Sequence, residues 1–419
     1  MKKVKYFAAV SAMVLVAPAA MAQTIDNNFS RDRGKSVLER SRAEYAPLGL
    51  RLGAFNANAS VDSSLGYTDN LFYDDTRKDG DANLYLKPSV DLSSTWSRHG
   101  LAFGAASEVI RYSSRDTENT SGWNAYARGR LDVSSAASLS ADISHDRSYE
   151  SRSSFQASQN ALKPVPVDVD RAALSGTFVG NRMRLIGTLS TSSESYGRVS
   201  ADNGGFVDSS GRDVTTNVAS ARVDYAVSPS VAVFVYAESN DRAYDTNRNF
   251  DSKGSIISVG ASFEVTGLSR GELQVGSLKQ DYKSLSSGNQ STTYVNGKLE
   301  WFPTPLTSVT GKLSRNVNDT PNISGGSVSA IATSTSLGVD HELLRNLILS
   351  AEYKHFSYDF SGIDRSDAGD TLTLSGRYYM NRRVSLDAAI RHEKYNSSGS
   401  QSFRDYTSNW LRLGLTWRY

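Results

Sequence analysis

The sequence predicts an all-β fold: a closed antiparallel transmembrane β-barrel of about 18 strands, with short turns at one rim and long loops at the other. Three observations carry this. Across residues 50–419, apolar and polar residues alternate in stretches of roughly ten, the period of a strand with two unlike faces. The connections alternate between roughly two to five residues and roughly nine to twenty, the asymmetry of membrane barrels. The polar face is also densely charged, which a soluble sandwich or solenoid, the competing fold, does not need. A bilayer core forbids open sheet edges, so such a run of strands must close on itself.

Ahead of the barrel lie two other segments. Lys2, Lys3 and Lys5 precede an apolar run over residues 6–16, and Ala20 and Ala22 fit an A-x-A cleavage site. Residues 1–22 are therefore expected to be a signal peptide, and the mature chain to begin at Gln23. The apolar run is too short to span a bilayer as a helix. Without the three lysines the formal net charge of +2 becomes −1, so no nucleic-acid partner is implied. Cysteine is absent, which excludes disulfides and thiolate metal sites. About 400 mature residues would ordinarily divide into two or three domains, yet no linker interrupts the texture after Leu50. The lack of a long apolar run excludes a helical membrane protein but not a barrel. Residues 23–49 read as a periplasmic lead-in, polar and arginine-rich (Arg31, Arg33, Arg40, Arg42), loosely ordered or short-helical. Val37, Leu38 and Tyr45 are available there to pack at the barrel mouth; a plug or a partner-docking arm is the functional alternative.

The strands follow in order. Phe55, Ala57, Ala59, Val61, Leu65 and Tyr67 alternate with polar residues, and a polar loop covers 69–80. Leu84, Leu86, Val90 and Leu92 lead to a turn at 97–100; Leu101, Phe103, Ala105 and Val109 lead to a loop at 113–121. In the cleanest strand, Trp123, Ala125, Ala127, Gly129, Leu131 and Val133 oppose Asn124, Tyr126, Arg128, Arg130 and Asp132. Leu139, Ala141 and Ile143 precede a long loop at 149–167. Leu174, Phe178, Met183, Leu185 and Leu189 flank the Gly180-Asn181 turn, before a second long loop at 195–213. The same alternation recurs through Val223, Val235, Val259, Val275, Leu299, Leu313 and Ile331, then Leu337, Leu349, Leu374 and Ile390. Asn396-Ser-Ser-Gly399 reads as a solvated turn. The closing strand sets Leu411, Leu413, Leu415 and Trp417 towards lipid and Arg412 and Arg418 towards the lumen, and is expected to pair with residues 55–67. Tyr67, Trp96, Trp123, Tyr225, Trp301, Tyr353, Tyr378 and Trp417 fall towards strand ends, where interface girdles belong.

No catalytic set emerges. Asp340-His341-Glu342 would need a second histidine four residues on for a zinc protease, and Arg345 stands there. His145, His355 and His392 share the phase of lipid-facing neighbours near the long-loop rim. His145 and Asp146, adjacent on a strand, point to opposite faces and form no dyad. The chain implies no enzyme, cofactor or metal. The predicted inner face is richer: Tyr126, Arg128, Arg130, Asp132, Arg184, Arg222, Asp224, Tyr236, Glu238, Tyr294, Lys298, Glu300, Lys312, Lys354, Arg377, Arg391 and Arg412. These residues either form a cross-strand lattice that holds the wall or line a hydrophilic conduit, since barrels of this size enclose water. Tyr126, Phe234, Tyr236, Tyr282 and Tyr294 are candidate sugar-stacking steps, each offering a ring face to a pyranose.

The segment Arg40-Ser-Arg42-Ala-Glu44-Tyr45-Ala-Pro47-Leu-Gly49-Leu-Arg-Leu-Gly53-Ala-Phe55, followed by Tyr67-Thr-Asp69-Asn70-Leu-Phe72, resembles the opening of the putative beta-barrel porin 2 family. The resemblance implies a Gram-negative outer-membrane barrel associated with exopolysaccharide or capsule export. It thus implies a polysaccharide chain and periplasmic export proteins as partners, besides outer-membrane lipid and the barrel-assembly machinery. A general or substrate-specific diffusion porin for small solutes is the alternative. Asn70 is read locally as the residue that tolerates a left-handed turn.

Trp417 and the terminal Tyr419 resemble the C-terminal aromatic signal read by the assembly machinery. Deleting Tyr419 is expected to lower the amount of inserted barrel more than its single-channel conductance. Quantifying membrane-inserted protein tests this, and unchanged membrane levels would refute the role.

Overall fold

A bilayer offers backbone groups no water, so every strand here must find a neighbour on both sides. The computed structural model describes residues 34–265, 267–283, 289–321 and 329–419; the expected signal peptide lies outside them. The barrel begins with Phe55–Thr68 (β1), Asp81–Ser94 (β2), Gly100–Tyr112 (β3), Thr120–Asp132 (β4), Ala137–Tyr149 (β5) and Pro166–Val179 (β6). It continues with Met183–Tyr196 (β7), Val214–Ser228 (β8), Val231–Tyr244 (β9), Ser252–Val265 (β10), Ser269–Tyr282 (β11) and Gln290–Thr304 (β12). Thr307–Asp319 (β13), Ser329–Leu344 (β14), Leu347–Phe360 (β15), Ser366–Tyr379 (β16), Val384–Ser398 (β17) and Tyr406–Arg418 (β18) complete it. Each strand pairs antiparallel with the next, and β18 returns to β1 from Ser60↔Arg418 to Thr68↔Trp410. With the three-residue strand Leu50–Leu52 on the flank of β1, these make the 19-stranded sheet.

The outward faces carry the apolar alternation. Leu411, Leu413, Leu415 and Trp417 are exposed, as are all eight expected girdle aromatics. The barrel strands run for 13 to 16 residues, more than the ~10 needed to cross a bilayer, and the excess is at the long-loop rim. There the outward residues turn polar (Arg147, Asp170, Lys253, Asp281), so the wall stands above the lipid as a collar. This changes the loop lengths. Connections at this rim range from residues 361–365 to 197–213, several of them shorter than expected, because strand pairing continues through polar residues. Asn396-Ser-Ser398, read as a turn, belongs to β17, and Thr120 and Pro166 already begin strands.

One stretch departs from the alternation. The β12–β13 pairing ends at Val295↔Arg315, although β12 continues outward to Gln290 and β13 to Asp319. Beyond that point β13 stays paired with β14, up to Asp319↔Ser329, and β14 with β15, from Ala330↔Phe360, so this edge of the sheet leans into the lumen as a continuous wall. Ile331, expected on the lipid face, instead packs with Val317 against Ile256, Leu278 and Tyr294 of β10–β12. The other face of the same segment is also covered, since Ala330 is fully buried against Phe155, Phe356 and Phe360. This end of β14 is thus covered on both faces while it keeps a paired strand on both edges.

Inward glycines let bulky neighbours lie flat. Phe234 stands directly opposite Gly260, and a Cβ at 260 would sit 2.2 Å from its ring and 2.6 Å from the Leu273 carbonyl oxygen. Tyr126 lies likewise over Gly104 and Phe356 over Gly369. A Gly260→Ala substitution must shift both ring and backbone. It is expected to destabilise the barrel by about 1–3 kcal/mol, read as a lower urea midpoint for loss of the folded band in semi-native electrophoresis.

Candidate functional site

The residues expected on the inner face divide into two environments. On the β2–β5 side they stand in open space. Arg128 pairs with Asp142 at 2.8 Å with its side chain 61% exposed, and Arg130 pairs with Asp132 at 2.9 Å. The Tyr126 hydroxyl donates to Asp91 at 2.5 Å while the Arg128 guanidinium lies 4.4 Å from its ring centroid. The inner faces around them are small (Ala102, Gly104, Ser140, Ser144, Ala173, Ser175), which leaves room in the lumen. Arg412 donates to Ser64 at 2.6 Å and lies over Tyr85.

On the β7–β14 side the space is filled. Arg184 and Arg222 both pair with Asp224, at 3.1 and 2.8 Å, and Arg222 reaches past two strands to Glu272 at 2.8 Å. Asp224 is fully buried. The stack is continuous: Gly260 makes room for Phe234, Arg222 lies 3.6 Å above that ring, and carboxylates close over Arg222. Glu300 accepts from Arg270 and pairs with Lys298. Tyr294 is buried, and Tyr236 donates to Glu238. Phe234, Tyr282 and Tyr294, considered as sugar-stacking steps, are therefore packed beneath other side chains; Tyr126 and Tyr236 keep a partly open ring. Lys312 stands exposed, and Lys354, Arg377 (paired with Asp387) and Arg391 are half-buried along the remaining wall.

Both rims are narrowed. At the short-turn rim, residues 34–45 cross the mouth. Gly34 N–H donates to Glu264, Val37 N–H donates to Ser308 Oγ, and the Val37 side chain is fully buried. Glu39 pairs with Arg270 at 2.5 Å and Arg42 with Glu342 at 2.8 Å, the latter pair almost wholly enclosed. Tyr45 meets the Tyr379 ring at 6.0 Å, and Leu38 is exposed. The lead-in is therefore a strap. Gly49 (φ +68°) and Gly53 (φ +59°) then turn the chain into Leu50–Leu52 and back along β1, conformations that a side chain would strain. The Asp340-His341-Glu342 motif thus contributes Glu342 as the anchor of Arg42.

At the long-loop rim three elements fold inward. Phe155, from the loop 150–165, packs on Tyr358 at 4.7 Å, and Gln156 donates to the Asp319 carbonyl oxygen. Tyr73, from the loop 69–80, meets Tyr406 edge-on at 5.1 Å. Tyr73 is the left-handed residue of that loop (φ +53°); Asn70, expected in that role, is instead a buried hub that donates to the Thr407 carbonyl and accepts from Asp74 N–H. The turned-in end of β13 is the third element. Its Asp319 carboxylate accepts from Arg242 at 2.6 Å, Tyr244 at 2.8 Å and Tyr282 at 2.5 Å. Burial, then the Asp319 charge, hold both phenols well above their ordinary pKa, so they remain donors. The loop 197–213 forms a small hairpin from Arg198–Ser200 and Phe206–Asp208, with Phe206 exposed, and joins the loop 150–165, where Leu162 N–H donates to the Ser200 carbonyl oxygen.

Of the outward histidines, His145 faces Asp170 at 2.8 Å and His355 faces Asp370 at 2.9 Å across neighbouring strands, while His392 faces Asn409 at 2.8 Å. They lie at the outer edge of the apolar band. Among the described residues no group of histidines and carboxylates is arranged to hold a metal ion.

The two environments differ in energetic weight. Asp224→Ala would leave two enclosed guanidinium groups without their shared carboxylate, at a cost of about 3–5 kcal/mol. Arg128→Ala, on the wet side, should change stability by no more than about 1 kcal/mol. Urea titrations of the folded band measure both.

Comparison with known proteins completes the description. The family model described as "Putative beta-barrel porin 2" matches residues 42–419. No curated protein matches the sequence. Among solved structures, the outer membrane protein OpdK from Pseudomonas aeruginosa is 13% identical, covering 87% of this chain and 99% of its own, with a TM-score of 0.47. Pseudomonas aeruginosa OccK2 (OpdF) in complex with glucuronate is 12% identical, with 86% and 98% covered and a TM-score of 0.49. A BenF-like porin from Pseudomonas fluorescens Pf-5 is 12% identical, with 87% and 99% covered and a TM-score of 0.47.

Proposed function

Because the chain belongs to the putative beta-barrel porin 2 family, and is thus an outer-membrane β-barrel porin, we propose that it is a substrate-selective diffusion channel for small, charged, hydrophilic solutes. The lumen's division carries this reading. One half is largely filled by the Phe234–Arg222 stack and the cluster around Ile256, Leu278 and Tyr294; the other presents Lys87, Glu108, Arg128 and Asp142 to open space. A passage with both signs of charge on its wall and narrowed rims favours small solutes that exchange ion pairs with that wall over bulk flow. The outer membrane is its location, and the chain is a channel rather than an enzyme.

Export of exopolysaccharide or capsular polysaccharide is the second reading. It is favoured by the half-open Tyr126 ring next to Asp91, a face and a hydrogen-bonding edge suited to a pyranose. Periplasmic export proteins would then be partners, and the strap at residues 34–45 lies where they would approach.

The readings separate experimentally. Purified protein in planar bilayers should give steady conductance with solute-dependent block. Reversing Arg128 and Arg130 together (Arg128→Glu, Arg130→Glu) changes the wall by four unit charges and should move permeability towards cations by about tenfold, the scale of water-screened Coulomb energies. Loss of surface polysaccharide on gene deletion, with solute uptake unchanged, would instead support export.

A further inference from the structure

One row of the inner wall gathers positive charge across neighbouring strands. The registers set Lys298 opposite Lys312, Lys312 opposite Ser336, and Ser336 opposite Lys354, so three lysines share one line over β12–β15. The alternation of each strand places all four residues on the inner face. Arg391 of β17 stands beside the end of this line, opposite Thr373 of β16. Like charges directly opposite one another on paired strands cost stability, so a lysine facing a lysine is no device for holding the wall.

Other inward cations have carboxylate partners, as Arg128 has Asp142, Arg377 has Asp387 and Lys298 has Glu300. Lys312 and Lys354 have neither an ion pair nor a hydrogen bond among the described residues. Two carboxylates act on Lys354, Glu352 and Glu393, together with the cations Lys312 and Arg391. Glu393 is buried and accepts from the Tyr406 hydroxyl at 2.7 Å, so its charge is already engaged. Glu352 stands exposed two residues along β15 and reaches neither lysine. Lys312 is exposed to the lumen and Lys354 is half-buried, and the Ser336 hydroxyl lies between them on β14. Two strand spacings separate the lysine backbones by about 10 Å, a gap that two four-carbon side chains close on one group. Towards the long-loop rim the next inward residue of β15 is Phe356, whose ring centroid lies 5.8 Å from Lys354 Nζ and which belongs to the cluster narrowing that rim. A solute that passes the narrowing on this side meets the lysines next.

We propose that Lys312, Ser336 and Lys354 form an oxyanion-binding subsite of the lumen, which takes the carboxylate or phosphate group of a small acidic solute. The two ammonium groups supply charge-assisted hydrogen bonds and the serine hydroxyl a neutral one, with Arg391 adding positive potential at the edge. A bound anion offsets the repulsion along the lysine row, so ligand and wall stabilise each other. The inference rests on the channel reading and deepens it: among small charged solutes, anions are the ones selected.

Malonate and inorganic phosphate serve as probes for the full-length barrel, by isothermal titration calorimetry in detergent and by block of chloride current in planar bilayers at constant ionic strength. Wild-type protein should bind at least one probe, and the same probe should block its current. Lys312→Gln with Lys354→Gln should raise both the dissociation constant and the half-blocking concentration at least about fivefold, whereas Lys312→Arg with Lys354→Arg, which keeps the charge, should stay within about twofold of wild type. Lys253→Gln removes an outward lysine of the collar and should change neither value. Response to malonate alone assigns the subsite to carboxylates, to phosphate alone to phosphates, and to both to the oxyanion they share. Wild-type protein that binds neither probe, or a glutamine variant that binds as wild type does, overturns the subsite; an arginine variant as weak as the glutamine one overturns the role of charge. Protein that binds a probe in calorimetry yet never conducts overturns the channel reading and leaves the subsite standing.

Discussion

Closure of the sheet governs everything else in this molecule. The hydrocarbon core cannot solvate an amide or a carbonyl, so the strands must join end to end, and the β18–β1 pairing is the condition for the rest. Closing eighteen strands creates a volume that the outward, lipid-facing residues cannot fill. That volume must be left to water or furnished from the inner face. The protein does both, and the boundary between them is set by residue size: glycine, alanine and serine along β3–β7, and phenylalanine, tyrosine, leucine and paired arginines along β9–β13.

The filled half is built in layers, in which backbone gives way to ring and ring to charge. Removing the Cβ at Gly260 lets Phe234 lie on the sheet, and the flat ring then supports a guanidinium that a bare wall could not orient. Arg222 can in consequence span to Glu272 and share Asp224 with Arg184, which ties β7, β8 and β11 together across the chord of the barrel. The open half has the Tyr126–Asp91 bond, which reaches past a single strand. Its ion pairs are solvated and exchangeable, the property a passing solute requires. On the proposed channel reading, stability and permeation fall to opposite walls of one cylinder.

The outer surface was legible in the sequence because lipid imposes a strict period of two, and the strands, the girdles and the closing pair follow from it. The interior was less legible because it obeys no period. Whether an inward Arg222 or Arg128 meets water depends on what stands across the lumen, a relation between residues 50 or more apart. Direction alone was readable, so Phe234 and Tyr282 looked as available as Tyr126. One local signal was present. At Ala330-Ile331-Ala332, beside Val317, the polar member of each pair is missing, and a strand apolar at both parities is one covered on both faces. The Arg42 and Tyr45 positions of the opening motif, like its two glycines, acquire physical meaning only once the mouth they cross is drawn.

The strap has a further consequence, for the order of events. Arg42 precedes its partner Glu342 by 300 residues, and Tyr45 precedes Tyr379 by more. Neither anchor exists as a surface until β14 and β16 have joined the wall. The first described part of the chain therefore cannot be fully seated until most of the wall that follows it is in place.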